Sequence, residues 1–172
     1  EHGLAPFASV QDHYSLLTRD PETNGLFLTC ERFEIAFVPY FPLESGLLTG
    51  KYRKGKGRPE NSRLATWGDR ANEFIDDEKL TVVERLIVWA ESRGRSLLEL
   101  ALSWHTSHPL VASVIAGATT ASQVEANVAA ASWVLSTDDR EEIDAGIRGE
   151  GEANHRPVPC HSTSECGATY PL

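Results

Sequence analysis

At 172 residues and 41% hydrophobic content, the chain has the size and apolar fraction of one soluble domain with one core. Its 16 basic and 25 acidic residues leave a net charge of -9, which opposes binding to nucleic acid or an anionic membrane surface and confines any anion to a local patch. No apolar run reaches the roughly 18 residues of a membrane span, and the opening Glu1-His2-Gly3-Leu4 has neither part of a secretory signal, so a cytoplasmic setting is expected.

The first strand is expected over residues 7–10, an apolar run without strict alternation. A helical pattern over 24–33 leads to a second strand over 35–40. Its Ile, Phe and Val content suits a strand buried on both faces, as in a parallel sheet. Residues 76–92 put Leu80, Val83, Ile87 and Ala90 on one helical stripe, and 97–107 do the same with Leu97, Leu100, Ala101 and Trp104. Ser96 and Glu99 form a capping-box signature at the start of the latter. A third strand is expected over 111–116. Thr120-Ala121-Ser122-Gln123 then opens a helix whose Val124, Val128 and Ala131 should face inward. A last helix over 138–147 begins with acids suited to its N-terminal dipole. From Gly149 the apolar period is lost and His155-Arg156-Pro157-Val158-Pro159 cannot continue a helix, so 149–172 reads as a disordered tail.

Cys30, Cys160 and Cys166 are odd in number and unevenly spaced, which argues against a disulfide framework. The tail's His155, Cys160, His161 and Cys166 match no familiar zinc spacing. The lack of any methionine leads us to expect an excerpt or a processed piece rather than a whole translation product.

The most informative stretch runs from Tyr40 to Tyr52, where a hydrophobic strand enters a glycine-punctuated turn that ends in positive charge. Such a turn can hold an anion. It is not a P-loop, because three residues rather than four separate Gly46 from Gly50 and a tyrosine follows Lys51. No G-x-G-x-x-G follows a strand either, which removes the Rossmann fingerprint. Lys51, Arg53, Lys54, Lys56, Arg58 and Arg63 are interrupted by a single acid, Glu60. Within so acidic a chain that run favours an anion site, to which Lys51 and Arg63 are assigned, with the other four left to solvent. Trp67 either shapes a substrate pocket or anchors its loop.

Three segments in order carry a family resemblance. They are Gln11 with His13-Tyr14-Ser15-Leu16-Leu17, then Tyr40-Phe41-Pro42-Leu43 through Lys51-Tyr52 with Ser62-Arg63, then Val114-Ile115-Ala116-Gly117-Ala118-Thr119 with Gln123 and Asn127. Together they resemble strands six to eight, and the loops after them, of the aldo/keto reductases, which are NADPH-dependent carbonyl-reducing (β/α)8 barrels. The resemblance implies an α/β fold: the C-terminal part of a TIM barrel, three parallel strands with flanking helices over 1–148, an incomplete barrel with open edges.

It also implies site roles. Gln11, expected at a strand's C-terminal end, would hydrogen-bond the nicotinamide carboxamide, or be an ordinary polar strand end. Tyr40 would stack on the nicotinamide ring, or plug the barrel. Phe41, Leu43 and Ser45 would wrap the pyrophosphate, with charge from Lys51 and Arg63. Gly117 and Thr119 would meet the phosphate on the adenosine ribose, and Gln123 and Asn127, four apart on a helix, the adenosine. Gln123 also has the capping-box role as an alternative. Ala126 stands where many relatives carry an acid, and the basic residue they often have near Thr119 is missing. The implied cofactor is NADPH, with NAD also open.

The family's proton-donating tyrosine and its lysine, aspartate and histidine neighbours come from the first four strands. Nothing here matches them, and Tyr14, Tyr52 and Tyr170 are not substitutes. The isolated chain is therefore expected to bind cofactor without reducing the small-molecule carbonyl substrate of the full-length protein. A nucleotide-sensing regulatory subunit of the same fold and a non-functional truncated product are the alternatives.

Overall fold

The computed structural model describes residues 5–57, 59–60, 62–68, 71 and 74–148, the side chains of Arg63 and Arg148 excepted. Strand β1 (Ser9–His13) pairs in parallel with β2 (Ala36–Tyr40), from Ser9 opposite Ala36 to His13 opposite Tyr40. The first strand thus starts later than its apolar run, and Phe7 is 82% exposed. Gln11 consequently sits in mid-strand opposite Val38, not at the strand's end.

The third strand expected over 111–116 is reduced to two isolated bridges, Phe37 with Val111 and Tyr40 with Ile115. Phe37 makes both of its ladder bonds to this segment, donating to the Leu110 carbonyl and accepting from Ala112 N–H at 2.9 and 3.0 Å. The next β2 residue turned the same way is Pro39, which has no N–H to give. Its carbonyl accepts from Ile115 N–H at 2.9 Å, so the segment gains one residue on β2 between the bridges, as in a bulge.

Between the strands lie α1 (Asp20–Thr23) and α2 (Leu26–Phe33). The helix expected over 24–33 is α2, and it starts two residues later than expected because Gly25, its N-cap, takes a left-handed φ of 87° and Asn24 Oδ1 accepts from Leu26 N–H; α1 precedes the expected range. After β2 come a kinked 3-10 segment (Glu44–Thr49), α3 (Arg63–Thr66), α4 (Asp77–Glu91) and α5 (Leu97–Thr106). The capping box of α5 forms as its signature predicts, Ser96 and Glu99 each satisfying the other's backbone N–H. Beyond the bridged segment are α6 (Ala121–Ala130) and α7 (Thr137–Arg148).

One face of the sheet is covered. Phe37 and Pro39 are buried on it, and the core continues through Tyr14, Leu16, Leu86, Leu100 and Trp104. The other face, carrying Ser9, Gln11 and His13 beside Ala36, Val38 and Tyr40, is exposed or half-buried, so the strands are not buried on both sides as their composition suggested. The inward stripe expected on α6 also fails. Val124 and Val128 are 52% and 70% exposed, and they line an open groove of about 360 Å³ with Leu102 and Val114.

The C-terminal helix α7 is tied back by charge. Arg19 pairs with Glu22 at 2.7 Å and with Asp144, while Arg140 donates to the Trp104 carbonyl at 2.7 Å. Both guanidiniums lie 5.2 Å from the Trp104 ring, a cation–π clamp on the largest fully buried side chain of the core. Cys30 is a free, buried thiol. Among the described residues no helix is long and apolar enough to cross a membrane, and no acidic, histidine or cysteine cluster has metal-site geometry. The tail 149–172, with its His155, Cys160, His161 and Cys166, lies outside the described residues.

Candidate functional site

A cleft of about 590 Å³ lies between the loop leaving β2 and the N-terminal end of α6. One wall is Phe41, Leu43, Ser45, Gly46, Thr49 and Lys51; the facing wall is Gly117, Thr119, Gln123 and Asn127 with Ala118 and Ala126. Eight of the eleven residues singled out from sequence therefore meet here, from segments more than sixty residues apart. Ser62 and Thr66, flanking Arg63 on α3, also line it, as does Leu98 of α5. Arg63 belongs to that helix through its backbone, but its side chain lies outside the described residues. Gln11 and Tyr40 are not on the cleft lining; they share the open face of the sheet next to it.

The first wall is held in an uncommon backbone conformation. Phe41, Glu44 and Ser45 have φ of 56°, 45° and 55°, and Gly46 has 102°. Three non-glycine residues in the left-handed region within five positions represent stored strain of about 1 kcal/mol or more each, which something nearby must offset. Glu44 is that anchor. Its Oε1 accepts from Ser15 Oγ at 2.5 Å and lies 2.8 Å from His13 Nε2, tying the loop to the end of β1. His13 in turn stacks on Tyr40 at 5.7 Å and meets Phe41 edge-on at 5.6 Å. Neither His13, Ser15 nor Glu44 was given a role from sequence, because their meeting depends on a contact 29 to 31 positions apart.

Lys51 folds back over Gly46: a Cβ there would stand 3.4 Å from Lys51 Cε and 3.5 Å from Nζ. Lys51 is exposed and makes no ion pair among the described residues; its Nζ lies 5.5 Å from the Tyr52 ring. Of the four basic residues left to solvent, Lys56 is exposed as expected, while Arg53 and Lys54 have partners. Arg53 pairs with Glu84 at 2.9 Å, holding that carboxylate below its usual range, and Lys54 donates to Thr81 Oγ1, so both clasp the loop to α4. Arg58 lies outside the described residues.

On the second wall, Thr120 caps α6 by accepting from Gln123 N–H at 3.2 Å. Gln123 Oε1 reaches back one residue further, accepting from Thr119 N–H at 2.7 Å and Thr119 Oγ1 at 3.1 Å. The Asn127 amide has no hydrogen-bond partner among the described residues, although it borders the cleft. The wall thus offers amide groups and no charge.

No tyrosine hydroxyl borders the cleft among the described residues. Tyr14 is fully buried, its hydroxyl donating to Glu22 at 2.5 Å, and burial with that carboxylate raises it well above the phenol range. Tyr52 is buried, and its hydroxyl has no hydrogen-bond partner among the described residues. Trp67 packs edge-on against Phe74 at 4.9 Å in a small satellite core and is not on the lining of this cleft.

A family model described as the aldo/keto reductase family matches residues 1–148. The chain is 34% identical over 154 residues to L-glyceraldehyde 3-phosphate reductase of Escherichia coli, covering 87% of this chain and 44% of that protein. It is 36% identical over 122 residues to a probable voltage-gated potassium channel subunit beta of Arabidopsis thaliana, covering 70% and 37%. Among solved structures, an aldo-keto reductase from Bacillus halodurans in its holo form matches with a TM-score of 0.60 at 30% identity, over 80% of this chain and 41% of that one. A glycerol dehydrogenase from Gluconobacter oxydans matches in fold, with a TM-score of 0.67 at 22% identity over 90% and 46%. The chain spans less than half the length of these relatives.

Proposed function

The chain belongs to the aldo/keto reductase family, and on that premise we propose that it is the dinucleotide-holding part, strands six to eight, of a (β/α)8 oxidoreductase that reduces aldehydes or ketones. What carries the reading is one observation: the strained, cation-bearing loop after β2 and the amide-bearing start of α6 face each other across a single cleft. The residues fit a nicotinamide dinucleotide. The cleft volume suffices, and Lys51, which makes no ion pair among the described residues, lies over the turn at Gly46.

In this reading Lys51 and Arg63 supply countercharge to the pyrophosphate, and Phe41, Leu43 and Ser45 wrap it. Gly117 and Thr119 border the adenosine ribose, while Gln123 and Asn127 hold the adenosine. Gln11 and Tyr40, on the same open sheet face, are assigned to the nicotinamide end, with His13 stacked on one side of Tyr40 and fixing that ring's plane. When bound, the dinucleotide supplies a hydride to a carbonyl carbon. The chain's own part is to orient it and to neutralise its charge. Proton donation is assigned to none of the residues here, since Tyr14 keeps its proton in the core and Tyr52 is shut away from the cleft.

The purified 172 residues are accordingly expected to bind a reduced dinucleotide without turning over an aldehyde. In a fluorescence titration, Lys51→Gln should weaken binding about tenfold, the scale of one charge-assisted contact. Failure of the unaltered chain to bind, or carbonyl reduction that vanishes with Tyr40→Ala alone, overturns the reading. A second reading rests on the likeness to the potassium channel subunit beta: the same cleft serves a regulatory subunit as a nucleotide sensor. It predicts dinucleotide binding with no carbonyl turnover even when the chain is joined to the remaining strands of a barrel.

A further inference from the structure

The wall of the cleft formed by the start of α6 lacks what a phosphate monoester needs. From Leu110 to Asp139 the sequence contains no lysine, arginine or histidine, and it does contain Glu125. Lys51 is the cation on the lining among the described residues, and it stands on the opposite wall beside Gly46. A monoester carries about 1.5 to 2 negative charges at neutral pH and is held by charged or multiple free donors. The neutral donors best placed for it are engaged: Thr119 gives both its N–H and its hydroxyl to Gln123 Oε1, at 2.7 and 3.1 Å. The first-turn amides of α6 contribute a partial positive end but no countercharge, within a chain of net charge -9. Among the side chains on this wall, what remains are the Gln123 NH2 group and the whole Asn127 amide. Amides both donate and accept, so they suit the two hydroxyls of an unmodified ribose.

Resting on the dinucleotide reading above, we infer that the cleft selects the dinucleotide without the extra ribose phosphate, NADH over NADPH, and that Gln123 is the residue that sets the choice. The selection works by omission on one side and by blockade on the other. No cation on the α6 wall attracts the phosphate, and the hook from Gln123 to Thr119 withholds the donors that would otherwise solvate it.

The test is a pair of titrations of the 172-residue chain, with NADH and with NADPH, following nicotinamide fluorescence and checked by equilibrium dialysis. NADH is expected to bind about tenfold tighter. Gln123→Arg should move the ratio of the two affinities toward NADPH by about tenfold or more, since a guanidinium pairs with phosphate in two places. Gln123→Glu keeps an acceptor for Thr119 N–H, so α6 retains its start, and should move the ratio further toward NADH; it decides the matter if a thermal melt shows the arginine variant unfolded. Tighter binding of NADPH by the unaltered chain overturns the inference, as does a ratio that Gln123→Glu leaves where it was. Binding of neither dinucleotide sinks the cofactor reading itself, a different result from binding with the opposite preference.

Discussion

Within the loop after β2, Gly46 is required by its backbone conformation rather than by the space beside it. Its φ of 102° is a region L-residues rarely enter, whereas an added Cβ would stand 3.4 Å from Lys51 Cε, the near edge of ordinary contact with the end of a flexible side chain. The backbone penalty is about 1 kcal/mol or more. Lys51 is exposed, so any adjustment falls on its flexible end and the cation stays over the turn. Gly46→Ala should therefore lower the urea midpoint by an amount corresponding to about 1 kcal/mol and leave dinucleotide binding by the folded chain within about twofold. Lys51→Gln should do the converse, weakening binding at nearly unchanged stability. A binding loss of about tenfold in Gly46→Ala would show that the glycine protects the position of the cation as well as the loop.

At the scale of single elements, α5 and α6 begin alike and end up in different surroundings. Both have a hydroxyl cap: Ser96 accepts from Glu99 N–H and Thr120 from Gln123 N–H, each at 3.2 Å. Behind its cap α5 buries Leu97, Leu100, Ala101 and Trp104, whereas α6 buries Ala130 alone. Removing either hydroxyl costs its helix about 1 kcal/mol, but the cost reaches global unfolding only where the helix is part of the core. Ser96→Ala should lower the midpoint of chemical unfolding by that amount. Thr120→Ala should leave the midpoint within about 0.3 kcal/mol while the α6 amides exchange hydrogen several-fold faster. This contrast also marks how far the sequence could be read. The cap and stripe of α5 are local patterns and appear unaltered in the structure. The stripe of α6 is equally periodic, yet Val124 and Val128 lie on an open groove, because periodicity says which residues share a face and not what covers it. Pro39 was visible as a strand residue, but which neighbour it failed to bond depended on pleat direction, and that cost the third strand its ladder. For the site, the glycines and lysine of the 40–52 turn were legible as physics. The facing wall was reached through resemblance, and the Glu44 anchor was not reached at all.

Across the whole molecule, ion pairs from Arg19 and Arg93 tie α7 to the rest of the fold, and His105 and His108 set its acid limit. His105 is completely buried, and neither ring nitrogen has a hydrogen-bond partner among the described residues. Burial pushes its pKa down to about 3, opposed in part by the Pro42 carbonyl, which lies outside hydrogen-bonding geometry to the ring. Burial likewise brings the half-buried His108 down to about 4, with Arg140 acting in the same direction. In the unfolded chain both return to the ordinary 6.5. Between that value and the folded ones, the unfolded chain binds protons that the folded chain refuses, so stability must fall as pH falls. The fall begins below about pH 6.5 and approaches about 1.4 kcal/mol per pH unit for the fully buried His105, with a smaller share from His108, which solvent screens. It levels off only below the folded pKa values. Urea midpoints measured at pH 7, 6 and 5 should show this slope, above the range where carboxylates titrate. His105→Leu, which removes a buried group with two unpaired nitrogens from a largely apolar environment, should flatten the slope and leave stability at pH 7 equal or higher. A slope as steep in His105→Leu as in the unaltered chain would place the acid sensitivity elsewhere, in the charged clasp that Arg19, Glu22 and Asp144 form over Trp104.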